Sequence, residues 1–141
     1  MKCDYTCIIR RVGVIMLSVM LLLIAVFSLM PASSLPSPDS DKIAHFASYA
    51  LLAISAFLSF FISPYEEKGL FKSNIKVLIG AFILCTLFGL LLELIQPFFN
   101  RSSDILDLCA NMGGIVVGLI VSFVFIKLYT NHLLKGKESA I

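Results

Sequence analysis

Four apolar runs, each close to twenty residues long, restrict this chain to one kind of fold. Val12–Met30 carries no charge along its length. Ile43–Ile62 is interrupted only by His45, and Val77–Ile95 meets Glu93 only near its end. The last run, from Leu106 to Ile126, holds Asp107 and Asn111 in its first turns. A bilayer core about 30 Å thick needs about 20 helical residues at 1.5 Å each, so every run can span once. In hydrocarbon, only a helix satisfies its own backbone over that length. The expected fold is all-α: a polytopic membrane protein with four transmembrane helices, over about 12–30, 43–62, 77–96 and 106–128, in a compact bundle.

Composition points the same way. The chain is 59% hydrophobic and 14% charged, against about 25% charged in soluble domains. Its 141 residues suit one domain, 1–141. A net charge of +2 without a basic tract sets nucleic-acid binding aside. Cys3, Cys7, Cys85 and Cys109 have neither the spacing of a zinc site nor that of a disulfide framework. They read as small apolar filler and free thiols. The first run has basic residues ahead of it and small residues after it, as a signal peptide does. Its apolar core exceeds the 7–15 residues usual there, so a retained helix is expected.

Orientation follows from the basic residues. With four spans, the two termini and the middle loop share one side. That side holds Lys2, Arg10, Arg11, Lys68, Lys72, Lys76, Lys127, Lys135 and Lys137; the other holds Lys42 and Arg101. Both termini are therefore expected in the cytoplasm and the two remaining loops outside. The stretch 31–40, rich in Pro and Ser, reads as an irregular external loop, with Asp39 or Ser40 capping the second helix. The stretch 63–76 reads as a solvated cytoplasmic connector. The short turn 97–103 makes the third and fourth helices antiparallel neighbours.

Away from the cytoplasmic side, the ionisable groups gather at the external ends of helices two to four. Asp41, His45 and Ser48 or Tyr49 share one helical face. Thr86, Gly89, Glu93 and Gln96 share another, and Asp104, Asp107, Asn111, Gly114 and Gly118 a third. Small residues at that spacing let a neighbouring helix approach closely. Intramembrane charged groups normally face a bundle interior or a water-filled cavity. The three faces are expected to form one outward-facing pocket of Asp41, Lys42, His45, Tyr49, Glu93, Gln96, Arg101, Asp104, Asp107 and Asn111. The first helix is left as a lipid-facing scaffold.

The segments DKIAH (41–45) and ELIQPFFNRSSDILDLCANMGG (93–114) resemble the VanZ-like family of small bacterial integral membrane proteins. The likeness spans about 41–125. It rests on Asp41, Lys42, His45, Glu93, Gln96, Arg101, Asp104, Asp107, Asn111 and Gly114. The family is named for a member associated with resistance to the glycopeptide antibiotic teicoplanin, which implies a role in the cell envelope.

Three functions compete for the pocket. As a binding site, it would take a lipid-linked or cell-wall precursor, with Lys42, Arg101 and His45 on a phosphate or carboxylate and the apolar faces on a lipid chain. As an enzyme, it would use His45 with Glu93 or Asp107 for acid–base work. The set His45, Glu93, Asp104 and Asp107 also has donor types that suit a divalent ion. As structure alone, it would pair Arg101 with Asp104 or Asp107 and Lys42 with Glu93, and bridge helices through the amides of Gln96 and Asn111. The sequence has no HExxH pair, GxSxG turn or P-loop, so no cofactor and no metal site is assigned from motifs.

Overall fold

The computed structural model describes residues 5–30, 38–61, 70–99 and 104–138. Among them lie four α-helices and no strand: α1 (Tyr5–Ser28), α2 (Pro38–Phe60), α3 (Leu70–Ile95) and α4 (Ile105–Glu138). All four are long and apolar enough to cross a membrane. Their outward faces carry large apolar side chains such as Leu22, Leu94 and Ile120. In water that surface would be a heavy liability, whereas lipid tails accept it without cost.

The helix ends depart from the sequence reading in four places, the first being α1, which begins at Tyr5, seven residues ahead of its expected start. α2 begins at Pro38, so Asp39 and Ser40 lie inside its first turn rather than ahead of it. Proline suits that position because its missing N–H would have no partner there. α3 begins at Leu70, within the stretch read as a connector, and Asn74 is fully buried. α4 continues to Glu138, ten residues past its expected end. No proline follows Asp104, and a helix of Lys, Leu and Asn can extend into water without losing its backbone bonds. By contrast, α3 stops where expected. Pro97 has no N–H to donate to the Glu93 carbonyl, and the chain tightens into a 3-10 turn over Gln96–Phe99.

α2 is the centre of the bundle. It packs on α1, α3 and most extensively on α4. Small residues set each approach. A methyl on Gly114 would strike the Phe46 carbonyl oxygen and lie 3.1 Å from the Ala50 nitrogen. On Gly118 it would strike the Ala50 carbonyl oxygen and lie 3.0 Å from the Ala53 methyl. α1 meets α2 in the same way, with Gly13 against the backbone of Leu58 and Ser59. Arg10 Nε also donates to the Phe61 carbonyl at 2.7 Å, satisfying one of the carbonyls left open at the end of α2.

The core has two parts. Tyr49, Leu52, Ala53, Ala56, Cys85, Leu92 and Ile115 fill the half toward the polar residues. Phe57, Phe61 and Ile126 fill the other half, where Phe61 meets Phe125 and Tyr129 edge to face. Cys7, Cys85 and Cys109 are free thiols; Cys3 lies outside the described residues.

Candidate functional site

The polar residues of α2 and α4 meet where the two backbones come closest. His45 and Asn111 are both buried, and His45 Nδ1 lies 3.0 Å from Asn111 Oδ1. An amide oxygen only accepts, so Nδ1 carries a proton and donates it. In the neutral ring Nε2 is then the acceptor, and it lies 3.7 Å from Asp41 Oδ1, one helical turn back on α2. Asp107, also buried, stands one turn before Asn111 on α4. One donor atom each from Asp41, His45 and Asp107 lies within 4.8 Å of the other two.

Tyr49 links this group to α3. Its ring stacks on that of His45 with centroids 6.5 Å apart. Its far edge rests on Gly89, where an added methyl would come within 3.2 Å of the hydroxyl. A larger residue at 89 would therefore displace the ring. Glu93 and Gln96 are both buried. The Gln96 side-chain oxygen has no hydrogen-bond partner among the described residues, an uncommon state for a buried acceptor. Between α3 and α4, Thr86 Oγ1 lies 3.8 Å from Met112 Sδ.

The other expected site residues fall differently. Lys42 is half-buried on α2. Asp104 is exposed and caps α4: its Oδ1 accepts from the Leu106 amide at 3.0 Å, and its carbonyl oxygen accepts from the amides of Asp107 and Leu108. That is the ordinary task of an aspartate just ahead of a helix, and Asp104 is not among the donors gathered with Asp41, His45 and Asp107. Arg101, with its proposed pairing to Asp104 or Asp107, lies outside the described residues. The face Asp107, Asn111, Gly114 and Gly118 is buried throughout, and Ser122 extends it by one turn, donating to the Gly118 carbonyl at 2.9 Å. The sequence reading stopped that face at Gly118, although Ser122 keeps the four-residue spacing.

No curated protein and no solved structure matches the chain. A family model described as VanZ/LLP1 matches residues 10–126. That range takes in α1 as well as the three helices with the polar residues, so the likeness is not confined to 41–125. The protein is an α-helical, multi-spanning member of the VanZ/LLP1 family.

Proposed function

We propose that this protein binds an anionic cell-envelope ligand, a lipid-linked or cell-wall precursor, in a pocket formed by the polar ends of α2, α3 and α4. One observation carries the reading. Six polar side chains from α2, α4, α3 and the 3-10 turn that ends it (His45, Tyr49, Glu93, Gln96, Asp107 and Asn111) are buried at the same end of a bundle whose outward faces are apolar. Interhelical hydrogen bonds in membranes contribute about 0.6 kcal/mol on average, too little to account for so many buried polar groups by packing alone. The Gln96 oxygen offers an acceptor to an incoming donor. Lys42 supplies a cation on α2, and Arg101 supplies another in the segment before α4. The apolar helix faces beside them suit an acyl or polyprenyl chain. In a bacterium this would act at the outer face of the cytoplasmic membrane, and protection from glycopeptides is one consequence to assay.

The expected result is that mass spectrometry of the purified wild-type protein detects a retained lipid-linked species. His45→Ala, Glu93→Gln and Arg101→Ala should each remove it while accumulating in the membrane at the wild-type level. Loss of ligand in proportion to loss of protein would reject the binding reading. In that case the same residues are structural, a role for which the His45–Asn111 bond between α2 and α4 is direct support. Turnover of the retained species, abolished by His45→Ala, would turn binding into catalysis.

The proposed orientation has its own test. The excess of Lys and Arg beside both termini supports cytoplasmic ends. Cysteines introduced at Ser37 and Ser102 should react with an impermeant maleimide in whole cells. Protection of both in intact cells, with labelling after lysis, would invert the topology.

A further inference from the structure

We infer that Asp41, His45 and Asp107 form a binding site for one divalent transition-metal cation, with Asn111 as the residue that positions His45. The site shares His45, Asp107 and Asn111 with the proposed ligand pocket, yet it needs only the three donors and the ion, whatever the pocket binds.

Geometry is the first support. Donors held about 2.1 Å from one ion stand about 3–4 Å apart. Nε2 of His45 and Oδ1 of Asp41 are 3.7 Å apart, too long for a hydrogen bond but suitable for two ligands flanking an ion. A donor atom of Asp107 completes a triangle with sides no longer than 4.8 Å. The three ligands come from two helices whose backbones touch through Gly114 and Phe46, so their separation is held by the fold.

The second support is the orientation of His45. A metal-bound histidine usually donates its other ring N–H to an oxygen, which fixes the tautomer and aims the ligating nitrogen. Asn111 Oδ1 takes that N–H at 3.0 Å, from a residue 66 positions away in the chain. The ring is thereby set with Nε2 toward Asp41. Asn111 is not one of the three donors; its oxygen holds the Nδ1 side of the ring and leaves Nε2 for the ion.

Charge and access fit as well. Two carboxylates, a neutral imidazole and a divalent ion sum to zero, which suits a site with low dielectric around it. His45 and Asp107 are 7% and 6% exposed, whereas the Asp41 side chain is 21% exposed and marks the way in. One nitrogen with two oxygens favours ions of the manganese-to-zinc group over magnesium or calcium. Three protein ligands leave positions for water or a ligand oxygen.

Manganese is the probe, because the thiols of the chain favour softer ions. Full-length protein in lipid nanodiscs, freed of any affinity tag and stripped with chelator, should bind one Mn²⁺ per chain. Pulsed EPR should show one coupled imidazole nitrogen. His45→Ala should remove that coupling. Asp107→Asn should weaken binding at least about tenfold, and Asn111→Ala about 10–100-fold. Absence of stoichiometric Mn²⁺ in the wild type, or bound Mn²⁺ without nitrogen coupling, overturns the site. Because the wild-type spectrum alone can do so, a variant that fails to accumulate does not protect the proposal. Either outcome leaves the retained-lipid experiment to be judged separately.

Discussion

Gly118→Val should disassemble the bundle. At this position α4 lies so close to α2 that a single added carbon meets the Ala50 carbonyl oxygen and comes within 3.0 Å of the Ala53 methyl. Overpacking an ordinary core costs about 1–3 kcal/mol, because side chains change rotamer to make room. That relief is absent here. One obstacle is a backbone carbonyl, already engaged in its own helix, and the other is a methyl with no rotamer. The helices must separate, and separation also pulls apart the Gly114–Phe46 approach and the His45–Asn111 bond one and two turns away. We expect a loss of more than about 3 kcal/mol, measured by equilibrium unfolding in mixed micelles, together with low accumulation in the membrane. Gly80→Val is the control. It lies on α3 with nothing within 4 Å of an added methyl, and its effect should stay within about 0.5 kcal/mol. Equal stability of the two variants would mean that the α2–α4 seam is not as close as described.

The four helices were legible in the sequence because two physical constraints act on any membrane chain. Bilayer thickness fixes the length of an apolar run, and the lack of water forces the backbone to satisfy itself. The end of α3 was legible for an equally local reason, since Pro97 removes a donor. The polar and glycine face of α4 was legible too, because helical spacing is a property of one helix. Which helix fills that face is a property of two. The short turn after α3 makes α3 and α4 neighbours, and they do pack. The glycines, however, receive Phe46 and Ala50 of α2. Spacing shows that a face is narrow without showing which partner enters it.

The same limit applies at the candidate site. Asp104 keeps the three-residue spacing to Asp107, so periodicity alone assigns it to the same face. It sits one residue before α4 begins, however, and there an open backbone amide of the first turn, that of Leu106, captures its carboxylate. Asp41 and His45 were visible as neighbours at a four-residue spacing. That Asp107, rather than Glu93 or Asp104, completes their triangle depends on the rotation of α4 against α2. The glycine contacts set that rotation, and nothing in the local sequence encodes it. The helix ends escaped for another reason. Beyond the bilayer boundary water satisfies a backbone as well as a helix does, so α3 and α4 can extend at little cost in either direction.

Asn111→Leu separates packing from function most sharply. Leucine matches asparagine in branching and in the number of side-chain heavy atoms, so α4 can still lie against α2 without a cavity. The change removes one interhelical hydrogen bond, and such bonds in membranes average about 0.6 kcal/mol with a maximum near 1.7. Leaving the buried His45 Nδ1–H without this acceptor adds a cost within the about 1–3 kcal/mol range for an unsatisfied group. The bundle should therefore persist, with a stability loss of about 1–3 kcal/mol and a normal helical spectrum. The site should not persist. The His45 ring is no longer fixed with Nε2 toward Asp41, and Mn²⁺ affinity should fall by about 10–100-fold. Asn111→Asp keeps an acceptor at the same place and should restore the ring orientation that leucine loses, giving tighter Mn²⁺ binding than the leucine variant. Destabilisation by Asn111→Leu large enough to empty the membrane of folded protein, with no rescue of ion binding by Asn111→Asp, would show that the His45–Asn111 pair serves as a clamp between two helices and not as the orienting half of a site.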